Sequence, residues 1–294
     1  MLLDGVFSGG GMRGLAFVGA YEALEEKGFR FVRLGGTSAG AIIAAFIMAG
    51  YSSGEIKGMI EKTDFHKMLD KRKLRFPMPF AKWLLLYKRM GLYKGDALEE
   101  WIALILAEKG IYTFSDIPPQ TFRVIASDLT NARLMVLPDD LLQYGIDPAL
   151  FSVARAVRMS CSIPYFFEPV TLKVKKKKNI IVDGGVLSNF PMWLFDSENV
   201  KKLRPVLGLK LASEDYLGKP KKIGNAIDLF AGLFETMKDA HDSRYVSRKL
   251  TPNILFIPVK GAGATEFHLA GDKKSELMQY GKVYTEQFLK RWCY

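Results

Sequence analysis

The stretch Gly35-Gly36-Thr37-Ser38-Ala39-Gly40 decides the fold of this 294-residue chain. A short, mostly apolar run precedes it, and an alanine-rich run that ends at Gly50 follows it. The short run predicts a strand, and the longer run predicts a helix. A serine at this corner, with Gly36 and Gly40 two residues before and after it, matches the G-x-S-x-G pattern of a nucleophile elbow. Ser38 is therefore a candidate nucleophile, although the same glycines would also suit an ordinary, tightly packed strand–helix junction.

A second corner of the same kind lies near the N-terminus. Residues 2–7 predict a buried strand, which runs directly into Ser8-Gly9-Gly10-Gly11-Met12-Arg13-Gly14. Apolar residues spaced along one face of residues 16–24 predict the helix that follows. Strands and helices that alternate in this way predict a parallel sheet in an α/β fold, with both corners at the carboxyl ends of their strands.

The rest of the chain predicts further elements of the same fold. Helices are predicted over 95–108, 151–159 and 273–292, and strands over 122–128, 134–137, 170–174, 179–182, 205–211 and 253–258. The strands 170–174 and 179–182 form a hairpin, and the second of them leads into Asp183-Gly184-Gly185. An acid at the end of a buried strand, followed by two glycines, is well placed to be held rigidly with backbone close by.

The composition is that of an ordinary globular protein. Hydrophobic residues make up 49% of the chain and charged residues 25%, which indicates a sizeable core. No apolar run has the length of a membrane span, and the N-terminus lacks the basic and apolar regions of a secretory signal. Cys161 and Cys293 are the only cysteines, so no disulfide framework is expected. We therefore expect one domain over residues 1–294 in the reducing cytoplasm.

The net charge of +11 is unevenly distributed. Between Lys67 and Lys94 nine Lys and Arg residues stand against a single acid, Asp70, and a second basic cluster lies at 175–178. Because residues 80–90 combine Trp and Leu with Lys and Arg, the excursion at about 65–93 suits a cap or a segment that faces an anionic membrane surface. The alternatives are solvated loop charge and a core-packed helix with snorkelling lysines. No nucleic-acid-binding signature accompanies the basic residues, so no nucleic-acid partner is expected.

The first glycine loop admits two interpretations. Its glycines fit the dinucleotide fingerprint G-x-G-x-x-G, but that function needs an acid at the end of the second strand, and residues 33–35 supply none. The other interpretation is an oxyanion hole, in which the backbone N–H groups of Gly9, Gly10 and Gly11 bind a developing negative charge. Arg13 would then bond an anionic group nearby or stiffen the loop through a salt bridge.

A serine nucleophile also needs a general base. The three histidines, His66, His241 and His268, follow no predicted strand and have no evident orienting carboxylate, so a Ser-His-Asp triad has little support. Asp183 is the better candidate because it ends a buried strand. The alternative for Asp183 is a plain turn residue, since Asp-Gly is a common turn dipeptide.

Taken together, the motifs at 9–14, 36–40 and 183–185 resemble those of the patatin-like phospholipase family, in the family's order. Residues 160–169 are also similar to the helix and turn that precede the family's Asp-Gly motif. The resemblance covers about residues 4–190. It implies a three-layer α/β/α fold with a mostly parallel central sheet.

The resemblance also implies roles for individual residues. It implies a catalytic dyad without histidine, with Ser38 as nucleophile and Asp183 as base, and an oxyanion hole that uses the Gly9–Gly11 amides and Arg13. The remaining motif glycines are Gly14, Gly36, Gly40, Gly184 and Gly185.

The function predicted from these observations is hydrolysis of lipid acyl esters, of phospholipase A or lysophospholipase type, through an acyl-enzyme intermediate. A membrane lipid or another lipid ester would be the substrate, and the protein would act in the cytoplasm or at the membrane periphery. No metal-ligand cluster is evident in the sequence, so we expect neither metal nor cofactor. The alternatives are an acyltransferase or thioesterase with the same dyad, and a lipid- or nucleotide-binding module without activity.

Overall fold

The structure is a computed structural model. It describes residues 1–71, 86–174, 177–195, 204–213, 251–259, 263 and 265–293, together with 223–224, 229, 232–233 and 236–237. The strands are β1 (Leu2–Phe7), β2 (Arg30–Thr37), β3 (Gly91–Tyr93), β4 (Phe122–Asp128), β5 (Arg133–Leu137), β6 (Tyr165–Phe167), β7 (Val170–Val174), β8 (Lys177–Asp183), β9 (Val206–Ser213) and β10 (Ile254–Val259). The helices are α1 (Ala16–Glu26), α2 (Ala39–Met48), α3 (Ser53–Lys62), α4 (Asp96–Glu108), α5 (Val153–Ser160) and α6 (Gly271–Leu289).

The main sheet has the strand order β10-β9-β1-β2-β4-β8-β7, and β5 pairs with β4 beside this path. The strands from β10 to β4 are parallel to one another, whereas β5, β7 and β8 pair in the antiparallel sense. A separate two-stranded sheet joins β3 to β6. The sheet is therefore mostly parallel, and its antiparallel strands join it through β4. Strand β5 pairs with one edge of β4, and β8 pairs with the other edge, beyond the end of β2.

The sheet packs on both faces. Leu3 and Phe7 of β1 point into a large core that also contains residues of all six helices. Val6 points to the opposite face, because side chains alternate along a strand, and it joins a smaller cluster with Phe190 and Met192. Because both faces of the sheet are covered, β1 is buried along almost its whole length.

Helices α1 and α6 pack so closely that their contact admits only glycine at two positions. A Cβ atom at Gly19 would lie 1.7 Å from the carbonyl oxygen of Met278, and one at Gly281 would lie 1.7 Å from that of Ala16. Helix α1 directly follows the first glycine loop. Helix α6, which packs against α1, therefore supports that loop indirectly.

Most predicted elements are confirmed, with shifted ends. β2 runs on through Gly36 to Thr37, and β8 begins at Lys177, earlier than expected. Helix α3 was not predicted, although the capping box of Ser52 and Glu55 at its start is readable in the sequence. The hairpin of β7 and β8 is confirmed, whereas residues 175–176 at its tip lie outside the described residues.

The predicted helix over 80–90 falls mostly outside the described residues, which omit 72–85. Residues 86–89 are helical, and Tyr87 is 86% exposed. Among the described residues, no helix is both long enough and apolar enough to cross a bilayer.

Substitution of Gly281 by Ala should destabilise the fold. The added methyl group meets backbone that cannot move independently, and overpacking of this kind typically costs about 1–3 kcal/mol or more. Chemical denaturation should therefore show a lower free energy of unfolding. The matched control is Gly58→Ala in α3, where a Cβ atom has no neighbour within 4 Å. Gly58→Ala should stabilise the protein by about 0.5–1 kcal/mol because alanine is the better helix former. Equal effects of the two substitutions would contradict the close contact.

Candidate active site

Ser38 occupies a strained corner between β2 and α2. Its backbone has φ 54° and ψ −125°, which a residue with a side chain adopts rarely, and it is 5% exposed. A Cβ atom at Gly36 would lie 2.7 Å from the carbonyl carbon of Gly40, and one at Gly40 would lie 2.4 Å from the carbonyl oxygen of Ser8. The two flanking glycines are thus required because the turns at 36–40 and 7–8 touch through their backbones.

The first glycine loop lies directly against this corner. A Cβ atom at Gly9 would lie 3.4 Å from the Cβ of Ser38, and one at Gly14 would lie 2.7 Å from that of Ala39. Gly11 begins a short 3-10 helix over Gly11–Leu15. The backbone N–H groups at the start of that turn therefore stand next to the candidate nucleophile.

The amide of Gly9 does not fit its predicted role as an oxyanion donor. Its N–H donates to the carbonyl of Asn189 at 3.0 Å. Within the described part of the chain, the N–H groups of Gly10 and Gly11 make no hydrogen bond, which leaves these two as the available donors. Gly9 instead leaves room for the side chain of Asn189, whose Oδ1 would lie 2.5 Å from a Cβ atom at this position.

The side chain of Arg13 contacts the same loop. Its Nε donates to the carbonyl of Gly10 at 3.4 Å. The carbonyl of Gly10 and the N–H of Gly11 belong to one planar peptide and point in opposite directions. The contact with Arg13 therefore helps to orient the N–H of Gly11.

Strand β4 brings Ser38 and Asp183 together. Thr37 at the end of β2 pairs with Ile125, and Asp183 at the end of β8 pairs with Ala126. Because β5 occupies the other edge of β4, β2 and β8 share one edge and meet end to end. Their last residues take neighbouring positions, about 3.3 Å apart along the strand direction.

Asp183 is 2% exposed and held from two sides. Its backbone N–H donates to the carbonyl of Ser162 at 2.9 Å, and its Oδ1 accepts from the N–H of Gly185 at 2.7 Å. A Cβ atom at Gly184 would lie 2.2 Å from the carbonyl oxygen of Ile125, so the turn packs directly on β4. Asp183 is therefore a turn residue, and it also lies beside the end of β2, which leads into Ser38.

The end of helix α5 connects the two candidate catalytic residues. The N–H of Ser38 donates to Oγ of Ser160 at 2.8 Å, while Asp183 bonds to the carbonyl of Ser162 two residues further on. Ser160 and Ser162 are both fully buried. In the sequence this turn is recognisable only as part of a motif. No role for Ser160 follows from it, because the partner of Ser160, Ser38, lies far away in the chain.

A buried arginine supports the same turn. Arg158 is 2% exposed, and its guanidinium donates to Oγ of Ser162 at 2.5 Å and to three backbone carbonyls. Those carbonyls belong to Gly95 at 2.7 Å, Lys94 at 2.6 Å and Glu168 at 2.9 Å. Arg158 thereby joins α5 to the start of α4 and to the end of β6.

Cys161 lies between Ser160 and Ser162, beside the dyad. Burial raises the pKa of its thiol, and the negative charge of Asp183 raises it further, against the opposing effects of Arg158 and a hydrogen bond with Ser38. The thiol is therefore protonated at neutral pH and is a poor nucleophile.

The histidines give no triad in the described structure. His66 and His268 are exposed and lie against each other, with ring centroids 4.2 Å apart, whereas His241 lies outside the described residues. The described residues also contain no group of three or more His, Cys, Asp or Glu side chains that could hold a metal ion.

An apolar pocket has Ser38 and Gly11 in its wall. Hydrophobic side chains of α2, α4, the 3-10 turn Phe65–Met68 and the segment 161–167 form most of the rest of the wall. They include Ile42, Ile43, Phe46, Phe65, Met68, Leu98, Trp101, Ile163 and Phe167. The pocket is narrow, with a volume of about 70 Å³, and its lining is suited to an apolar group.

Comparisons with known proteins identify the class. Residues 5–196 match the family described as Patatin-like phospholipase, so the chain belongs to this family. The crystal structure of VipD from Legionella pneumophila is similar with a TM-score of 0.59 and 18% identity, and the match covers 99% of this chain and 67% of that one. The predicted three-layer α/β/α fold with a mostly parallel sheet is thereby confirmed.

Two proteins with similar sequences extend the comparison. YqhO of Bacillus subtilis (strain 168), an uncharacterized protein, is 56% identical over 294 residues, which is 100% of both chains. A protein of Invertebrate iridescent virus 6 with the name "Probable lipid hydrolase 463L" is 27% identical over 64% of this chain and 61% of its own length.

Replacement of Ser160 by Ala should impair the reactivity of Ser38. It leaves the buried N–H of Ser38 without its acceptor, at a cost of about 1–3 kcal/mol, and frees a strained corner to shift. We expect the rate of labelling by a fluorophosphonate to fall by between about fivefold and 100-fold. The matched control is Ser152→Ala, which removes the hydroxyl that caps the other end of α5. It should lower stability by about 1 kcal/mol and leave labelling unchanged. Equal labelling of both variants would contradict the role of Ser160.

Proposed function

We propose that this protein hydrolyses lipid acyl esters, as a phospholipase A or lysophospholipase, with Ser38 as nucleophile and Asp183 as general base. The observation that carries the proposal is the meeting of three features at one point. They are a serine in a strained elbow, a buried carboxylate from the adjacent strand end and an apolar pocket with that serine in its wall. Each feature alone is common, whereas their coincidence suits ester hydrolysis at an acyl chain.

In the first half of the reaction, Oγ of Ser38 attacks the ester carbonyl while its proton passes to Asp183. A new C–O bond forms, and the carbonyl oxygen becomes an oxyanion. The N–H groups of Gly10 and Gly11 donate to that oxyanion, and each such donor contributes about 3 kcal/mol to the lowering of the barrier. The ester C–O bond then breaks, the alcohol takes the proton from Asp183, and the acyl group stays on Ser38.

In the second half, water attacks the acyl-enzyme and gives its proton to Asp183. The tetrahedral intermediate collapses, Ser38 leaves as the alkoxide and recovers the proton, and the fatty acid departs. The protein returns to its starting state with no net change. The burial of Asp183 supports its part in both halves, because its carboxylate is shielded from bulk water.

The apolar pocket supports a lipid acyl chain as the part of the substrate that is recognised. Burial of an alkyl chain yields about 0.8 kcal/mol per methylene, so a long chain supplies binding energy without polar contacts. The name of the viral relative, which includes "lipid hydrolase", is consistent with such a substrate.

Removal of either dyad residue should abolish or nearly abolish hydrolysis. Ser38→Ala eliminates the attacking atom, so both fluorophosphonate labelling and turnover of phospholipids and lysophospholipids should vanish. Asp183→Asn keeps the acceptor for the N–H of Gly185 but cannot accept the proton, so turnover should fall by about 10²–10⁴-fold.

The matched control is Ser53→Ala, which removes another buried serine hydroxyl, one that bonds to Glu25 in another part of the fold. Labelling that persists in Ser38→Ala would refute the proposal. Labelling of the wild type without release of fatty acid would favour an acyltransferase or thioesterase, and lipid binding without labelling would favour a binding module.

We further propose that the basic excursion docks on anionic membrane surfaces. Its described end carries Lys88 and Arg89, both exposed, next to Tyr87 and to Met90, which is 43% exposed. Cations beside exposed apolar side chains suit a membrane–water interface. The two free thiols, Cys161 and Cys293, favour a reducing compartment such as the cytoplasm.

Reversal of charge in this excursion should weaken binding to anionic vesicles. Each basic residue near the surface contributes about 1 kcal/mol, so Lys88→Glu with Arg89→Glu should weaken co-sedimentation with phosphatidylserine vesicles at least tenfold. The matched control is Lys27→Glu with Lys290→Glu, which makes the same change in net charge at exposed residues near the ends of α1 and α6. Equal losses in the two double variants, or binding that is indifferent to salt, would exclude a local docking surface.

A further inference from the structure

One wall of the apolar pocket comes from a part of the chain that the family match does not include. Phe267 lines the pocket, whereas the family match ends at residue 196. It belongs to the segment 265–270, which precedes helix α6 and forms neither helix nor strand. The pocket is therefore completed by a side chain that lies outside the matched residues.

Aromatic contacts hold Phe267 on one side of the pocket. Its ring stacks on Phe166 with centroids 5.3 Å apart and an interplanar angle of 15°, and it meets Phe167 edge to face at 6.0 Å. Its backbone N–H donates only to the carbonyl of nearby Thr265 at 3.1 Å. The position of Phe267 therefore depends on the packing of its ring, because segment 265–270 forms no strand that could pair with the sheet.

The same segment and the start of α6 also contact the region of Ile60 to His66. The ring of His268 lies against His66, next to Phe65 of the pocket wall. Lys274, in the first turns of α6, donates to the carbonyls of Ile60 at 3.2 Å and Thr63 at 2.7 Å. Segment 265–270 therefore bridges two walls that belong to different parts of the fold.

We propose that Phe267 covers the acyl chain in the pocket and determines the preference of the enzyme for long acyl chains. The proposal rests on the proposed function, because it concerns the acyl chain of the same substrate. Phe267 is half-buried and lines the pocket. A chain long enough to pass beneath the ring is shielded from water by it, and a short chain is not.

The size of the effect follows from the transfer of methylenes to water. Each methylene that loses its cover weakens binding about fourfold, since burial contributes about 0.8 kcal/mol per group. A phenyl ring covers two or three methylenes, so removal of the ring should lower the preference for long chains at least tenfold.

The first test compares esters of different chain length. For Phe267→Ala, the ratio of kcat/KM for p-nitrophenyl palmitate to that for p-nitrophenyl butyrate should fall at least tenfold relative to wild type, and Phe267→Leu should restore most of that ratio. The matched control, Phe256→Ala, removes a partly exposed phenyl ring on β10 and should leave the ratio unchanged. An unchanged ratio in Phe267→Ala would overturn the proposal, and so would a higher one, because a ring that ended the pocket would give a gain with long chains. Thermal denaturation of each variant verifies that it is folded.

The second test measures binding without catalysis. Trp101 lies in the pocket wall, so a brominated stearate bound there should quench its fluorescence, and Trp101→Phe should remove that quenching. In a Ser38→Ala background, Phe267→Ala should weaken binding of the brominated stearate at least tenfold, with no such change for brominated hexanoate. Hydrolysis by the wild type that does not depend on Ser38 would refute the proposed function. The binding test would still decide whether Phe267 covers the acyl chain. Equal affinity of the two proteins for the stearate would overturn the cover alone.

Discussion

The close approach of three backbone turns around Ser38 is the constraint on which the rest of the site depends. Gly36 touches Gly40, Gly40 touches the end of β1, and Gly9 lies against the Cβ of Ser38. A side chain at Gly36 or Gly40 would meet backbone atoms and force these turns apart. The same closeness places the start of the 3-10 turn at Gly11 beside the hydroxyl, where its N–H can meet a developing charge.

Ser38 and Asp183 are positioned by the same elements, although they are far apart in the chain. Strand β4 aligns the ends of β2 and β8, while the turn after α5 accepts a hydrogen bond from each residue, at Ser160 and at Ser162. Arg158 then fixes that turn to α4 and β6. A displacement of α5 would therefore move both Ser38 and Asp183.

The region beyond the family match has two structural tasks in the described residues. Helix α6 packs backbone to backbone on α1 through Gly19 and Gly281, and so supports the first glycine loop from behind. The segment before α6 contributes Phe267 to the pocket, and Lys274 ties α6 to the pocket wall at Ile60. Support of the loop and closure of the pocket thus come from one stretch of chain.

The sequence by itself determined what depends on neighbouring residues. The two strand-to-helix corners, the glycines around Ser38 and the Asp-Gly turn are readable because backbone sterics act over a few residues, and most strands and helices follow from local periodicity. Only the tertiary structure decided that the N–H of Gly9 is taken by Asn189, that Ser160 holds Ser38, and that Phe267 completes the pocket. These are contacts between residues distant in the chain, made by ordinary serine, glycine and phenylalanine side chains, whose partners are specified by packing and not by any local pattern.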